Sequence, residues 1–134
     1  MNGLSWAKSA RFLTASLALA IAILSLTPDT NSVGQGLWLF SYLAQVLLGS
    51  AEQSDKIGHF AAYGALGFVA ALGFEKNRRL LTVFLVIVLY GVILEGVQGL
   101  SPVRSTSWAD MLANSLGAMM GLGLAATGMR ALQR

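Results

Sequence analysis

Apolar residues in this chain come in long uninterrupted runs, and polar residues collect at the ends of those runs. Seventeen residues without a formal charge lie between Arg11 and Asp29, opened by Phe12 and closed by Pro28. Ile57 to Phe74, Leu80 to about Leu100 and Met111 to Met129 repeat the pattern, with Glu95 near the end of the third run. A hydrocarbon core about 30 Å thick needs roughly 20 helical residues, with a range of about 17 to 25, so each run is long enough to cross a bilayer. The runs predict four helical spans at about 10–27, 57–75, 80–100 and 109–129. Thr30 to Ala51 is also free of formal charge, but its apolar centre, Leu37 to Leu48, is only twelve residues long. That is too short to cross. Its Ser41 and Gln45 share one helical stripe, and Trp38, Phe40 and Tyr42 suit the headgroup region. A short interfacial or re-entrant helix is expected at about 36–49.

Composition narrows the class. Only 11% of the 134 residues are charged and 55% are hydrophobic, with a mean hydropathy of +0.66. A water-soluble globule carries roughly 25% charged residues, and a disordered chain needs low hydrophobicity with high net charge. Both are excluded. The absence of cysteine removes disulfides, thiolate metal sites and a cysteine nucleophile. A net charge of +3 spread over nine scattered cations does not form the basic face of a nucleic-acid binder, so no nucleic-acid partner is expected.

The cations also orient the spans, because cytoplasmic loops retain Lys and Arg while short translocated loops do not. Four spans with a cytoplasmic N-terminus put Lys8, Arg11, Lys76, Arg78, Arg79, Arg130 and Arg134 inside and only Lys56 and Arg104 outside, a 7:2 split. Making residues 36–49 a fifth span gives 4:5. The expected fold is therefore an all-α, integral membrane four-helix bundle in the plasma (inner) membrane, multi-pass, with both termini in the cytoplasm. The first run lacks a small-x-small cleavage site and reads as an uncleaved anchor rather than a signal peptide.

This topology brings the polar residues of three helices to one level near the outer face. Lys56, His59 and Tyr63 are spaced i, i+3, i+7, Glu95 and Gln98 i, i+3, and Asp110 and Asn114 i, i+4. Each set occupies one helical stripe. Ionisable groups facing lipid cost about 2.5 to 3.5 kcal/mol each on insertion scales, so they are expected to face a shared interior or a wet cavity. Asp55 beside Lys56, and Arg104 six residues before Asp110, complete a nearly neutral network on the extracytoplasmic side. Further along the Asp110 stripe, Gly117 and Gly121 form a GxxxG pair that lets another backbone approach, within the chain in preference to a dimer. A monomer or weak homodimer is expected.

In order, these residues read D-K-x-x-H-F-x-x-Y from Asp55 to Tyr63, E-x-x-Q at Glu95 and Gln98, and R-x5-D-x-x-x-N-x-x-G from Arg104 to Gly117. Together they resemble the VanZ-like family of small bacterial membrane proteins, named for a teicoplanin-resistance accessory protein. The resemblance covers roughly residues 52–121. It departs at Ser101-Pro102-Val103-Arg104, where family members often carry Pro-Gly-Arg and this chain lacks the glycine. The resemblance implies a plasma-membrane protein tied to the cell envelope or to glycopeptide antibiotic resistance. No phosphate-cradling Gly-rich loop or acyl-CoA site supports the phosphotransbutyrylase label attached to some relatives.

Several roles stay open for the cluster. His59 is the single histidine and the natural acid or base near neutral pH, with Glu95 as its carboxylate partner. Both could instead be structural. Arg104 has the donor fork to grip a phosphate or carboxylate, or to order its loop by pairing with Asp110. Asp55, Lys56, His59, Tyr63, Glu95, Gln98, Arg104, Asp110 and Asn114 are the candidate ligand-binding set. His59, Glu95 and Asp110 show none of the close ligand spacing that marks a metal site, so neither a metal nor another cofactor is expected. Ser105 and Ser107 lie near the cluster without a GxSxG elbow, which argues against a serine hydrolase. Two functions follow. One is an accessory protein binding an envelope lipid, a lipid-linked glycan or a glycopeptide among the membrane lipids. The other is a membrane-embedded enzyme that modifies such a head group by acid and base chemistry at His59 and Glu95.

Overall fold

The computed structural model of the chain describes residues 3–27, 38–74, 79–101 and 106–132. Asp29, Lys76, Arg78, Arg104, Ser105 and Arg134 lie outside these stretches. The described residues form five α-helices and no strand: α1 (Gly3–Leu26), α2 (Trp38–Leu48), α3 (Ser54–Gly73), α4 (Leu80–Gln98) and α5 (Trp108–Leu132). A single 3₁₀ turn, Ala51–Gln53, leads from α2 into α3.

Helix α1 begins well before its apolar run, because Lys8 and Arg11 are carried in the helix rather than ahead of it. Arg11 Nε donates to the Gly73 carbonyl at 2.8 Å, and its guanidinium lies 5.2 Å from the centre of the Phe74 ring. The cation thus serves the end of α3, where carbonyls lack helical partners and the dipole favours positive charge. At the other end, α1 stops at Leu26, just before Thr27 and Pro28. The residue before proline is pushed out of the α region.

At about 1.5 Å per residue, the eleven residues of α2 reach only about 16 Å. Ala44 is fully buried, while Trp38, Tyr42, Val46 and Leu47 are exposed. Gly49 ends the helix in the left-handed region (φ 75°), the conformation a C-terminal glycine supplies without a Cβ penalty. By the same measure α4 is about 28 Å and α3 about 30 Å long, close to a hydrocarbon core.

Contacts fix the helix directions. Tyr90 donates to the Ala18 carbonyl, and Gln98 Nε2 to the Ser25 carbonyl at 2.7 Å, so α4 runs parallel to α1. The Arg11–Gly73 bond makes α3 antiparallel to α1. Helices α3 and α5 run parallel and share the most intimate packing, with Gly64 against Gly117 and Gly121 and Gly67 against Ala118. A Cβ on Gly121 would stand 1.9 Å from the Gly64 carbonyl oxygen, which only glycine permits. The core between the helices contains Ile21, Tyr63, Leu66, Ala70, Ile87, Leu94 and Ala118, with Ala71, Leu122 and Ala125 continuing it at the other end.

Two helices, Trp6–Leu26 and Leu80–Gln98, are long and apolar enough to cross a membrane. Only 11% of the first and 22% of the second stretch is buried inside the chain. The core helix of a water-soluble domain would hide far more of itself. Phe12, Leu13, Leu19 and Ile23 on α1, and Leu85, Val86, Leu89 and Ile93 on α4, are instead exposed. Among the described residues, Lys8, Arg11, Arg79 and Arg130 fall at one end of the bundle, and Asp55, Lys56, His59, Glu95 and Asp110 at the other.

Candidate functional site

The polar end is built by three helices. The first turns of α3 supply Asp55, Lys56 and His59, the last turns of α4 supply Glu95, and the first turns of α5 supply Asp110 and Asn114. The parallel packing of α3 on α5 sets their residues side by side. Lys56 Nζ lies 3.6 Å from Asp110 Oδ1, and His59 Nδ1 lies 3.0 Å from Asn114 Oδ1. An amide oxygen can only accept, so Nδ1 is the donor in this pair, and in the neutral ring Nε2 then keeps its lone pair.

Burial is graded across the cluster. Glu95 (1% exposed), Asn114 (2%) and Asp110 (8%) are enclosed by the helices. His59 and Lys56 form a half-buried rim, and the Asp55 carboxylate lies outermost at 52% exposure. Lys56 also approaches Asp55 Oδ1 at 3.3 Å. Partial burial works against its ammonium, but Asp55 and Asp110 outweigh that effect and hold Lys56 above its ordinary pKa. Lys56 lies just ahead of the apolar run that begins at Ile57.

Glu95 is held at the start of α5. The Ser107 backbone N–H donates to Glu95 Oε2 at 3.2 Å, and Thr106 Oγ1 donates to the Glu95 carbonyl at 3.3 Å. Ser107 caps α5, its Oγ accepting from the Asp110 N–H at 3.3 Å. A carboxylate beside the free amides of a helix N-terminus is favoured by the dipole. Ser107 thus tethers Glu95 to α5, and the S-x-x-D pattern from Ser107 to Asp110 carries the signature of such a cap in the sequence.

Two candidates face elsewhere. Gln98, one turn beyond Glu95, is buried against α1 and spends its amide on Ser25. Helix α4 lies between α1 and α5, so residues three apart divide between the two neighbours. Tyr63 is buried beneath the cluster, its ring 6.3 Å from that of Tyr90 and tilted by 38°. Gly91 makes this packing feasible, since a Cβ there would stand 3.1 Å from Tyr63 Cε1 and 3.4 Å from Asn114 Nδ2. Gly91 precedes Glu95 by one turn on the same stripe, which is the sequence signal of its role. Arg104 lies outside the described residues, as does any turn it makes.

Residues without close spacing along the chain are brought together by the fold. One ligand atom each from His59, Glu95 and Asp110 lies within 4.8 Å of the other two. Each residue comes from a different helix, so their separation along the chain carried no information about their separation in space.

A family model described as VanZ/LLP1 matches residues 4–129. The chain belongs to the VanZ/LLP1 family. The VanZ/LLP1 match begins in α1 and ends in the last turns of α5, so it takes in α1 and α2 as well as the motif-bearing helices α3, α4 and α5. No curated protein and no solved structure matches the chain.

Proposed function

We propose that this VanZ/LLP1 protein is a four-span integral protein of the plasma membrane that binds an anionic or zwitterionic cell-envelope molecule at its extracytoplasmic end. The ligand class is an envelope lipid head group, a lipid-linked glycan or a glycopeptide. The observation that carries the reading is the gathering of Lys56, His59, Glu95, Asp110 and Asn114 at one end of a mostly apolar bundle, opposite Lys8, Arg11, Arg79 and Arg130. The alternating directions of α1, α3, α4 and α5 suit four successive crossings. Helix α2, too short to cross, would then lie at the headgroup level. Cations at one end suit a cytoplasmic face, and buried ionisable groups within a membrane bundle suit a ligand site rather than a packing role. The glycine face of α5 is used inside the chain, which favours a monomer.

Topology comes first among the tests. A reporter inserted after Asn77 should read as cytoplasmic and one after Ser101 as exterior; the opposite result inverts the direction. Lipids that co-purify with the full chain in mild detergent are then identified by mass spectrometry. Glu95→Ala and Arg104→Ala should lose the bound molecule while retaining wild-type helicity. Loss of the fold itself in both variants would make the cluster structural.

The orientation of His59 favours a second reading. With Nδ1 engaged by Asn114, Nε2 is free to accept a proton from a substrate, and Glu95 could serve as its partner in acid and base chemistry. His59→Gln keeps the hydrogen bond and removes the titration. Full function in that variant would eliminate the enzyme and leave the binding protein.

A further inference from the structure

The three residues that converge from α3, α4 and α5 form a donor set of one imidazole and two carboxylates. We infer that His59, Glu95 and Asp110 are the ligands of one divalent transition-metal ion, of which Zn2+ is the natural occupant. Tetrahedral zinc ligands stand about 2.1 Å from the ion and hence about 3.4 Å from one another. The 4.8 Å limit on the donor separations leaves roughly 1.4 Å to be closed, which small side-chain rotations on three independent helices supply.

An independent observation concerns Asp110. Its Oδ1 is buried and receives no hydrogen bond among the described residues, and Lys56 Nζ stands 3.6 Å from it. A buried carboxylate oxygen without a donor is costly unless a positive centre satisfies it. The bond between His59 Nδ1 and Asn114 would leave Nε2 as the metal-binding nitrogen, in the manner of metal-binding histidines whose second ring nitrogen donates to a carbonyl or carboxylate. Here Asn114 Oδ1 is that acceptor.

An imidazole donor disfavours Mg2+ and Ca2+, which take oxygen ligands in larger number. Three protein ligands leave the fourth tetrahedral position to water. The site stands apart from the head-group reading, because metal uptake is measured without any lipid ligand.

The test uses the full chain, free of affinity tags, purified in detergent, stripped with a chelator and titrated with Zn2+ by calorimetry. One equivalent per chain with a micromolar or tighter Kd is expected. Asp110→Asn and His59→Gln should each weaken binding by about 100-fold or more, and Asn114→Ala, which removes the acceptor that orients the ring, by about 10- to 100-fold. Co2+ in place of Zn2+ should give a visible ligand-field band that His59→Gln shifts or abolishes, and far-ultraviolet circular dichroism on the same samples reports their helicity. Failure of the wild-type chain to take up a stoichiometric ion overturns the inference, as does wild-type affinity in well-folded Asp110→Asn.

Discussion

Helices α3 and α5 are held so close that a single methyl group on the wrong glycine should pry them apart. In Gly121→Ala the new Cβ would meet the Gly64 carbonyl oxygen at 1.9 Å, the Phe68 nitrogen at 2.8 Å and the Gly64 carbonyl carbon at 2.9 Å. All three are backbone atoms and cannot rotate away. Restoring an ordinary 3.4 Å contact moves the helices apart by about 1.5 Å (3.4 − 1.9). A radial gap of only 0.5–1 Å forfeits roughly a quarter to a half of a van der Waals contact. Overpacking costs typically about 1–3 kcal/mol, and the rigid neighbours place Gly121→Ala at the upper end, about 3 kcal/mol. Gly123 is the control, since nothing lies within 4 Å of a Cβ built there. Gly123→Ala should gain about 0.5–1 kcal/mol from helix propensity. The two variants should therefore differ by about 3.5–4 kcal/mol in reversible unfolding by denaturing detergent, followed by far-ultraviolet circular dichroism. A difference within about 0.5 kcal/mol, the range of an ordinary surface change, would refute the close packing of α5 on α3. Because the same face carries Asp110 and Asn114, Gly121→Ala should also weaken whatever the polar cluster binds.

Three further predictions follow from single contacts. Arg11→Met should destabilise the bundle by about 1–3 kcal/mol through loss of the Gly73 bond and the Phe74 ring contact, whereas an Arg11 acting only as a topological anchor would leave thermal unfolding unchanged. Ser107→Ala removes the cap of α5 and should cost about 1 kcal/mol, read in the same unfolding assay; an unchanged midpoint would deny the cap. Lys56 has a pKa raised above 10.5 in the folded chain, so its stabilising contribution is complete below 10.5 and is lost as pH rises through the folded value. Lys56→Met should accordingly be less stable than wild type at pH 8, with the gap closing above 10.5; a gap that persists at high pH would remove the pairing with Asp55 and Asp110 as its cause.

The sequence by itself determined the helical runs, the shortness of α2 and the level at which the polar residues meet. These depend on length, hydropathy and helical periodicity, all local properties of the chain. The boundaries moved by a few residues where a side chain found a use beyond its own helix, as Arg11 did at the end of α3. Which neighbour each polar residue meets was decided by tertiary structure, because a stripe has angular width and α4 lies between two partners. Glu95 and Gln98 share a stripe, yet one is bound by α5 and the other by α1. The meeting of His59, Glu95 and Asp110 is likewise absent from any local pattern. It arises because glycines at 64, 117 and 121 let α3 and α5 touch at the backbone while Ser107 draws the end of α4 onto the start of α5.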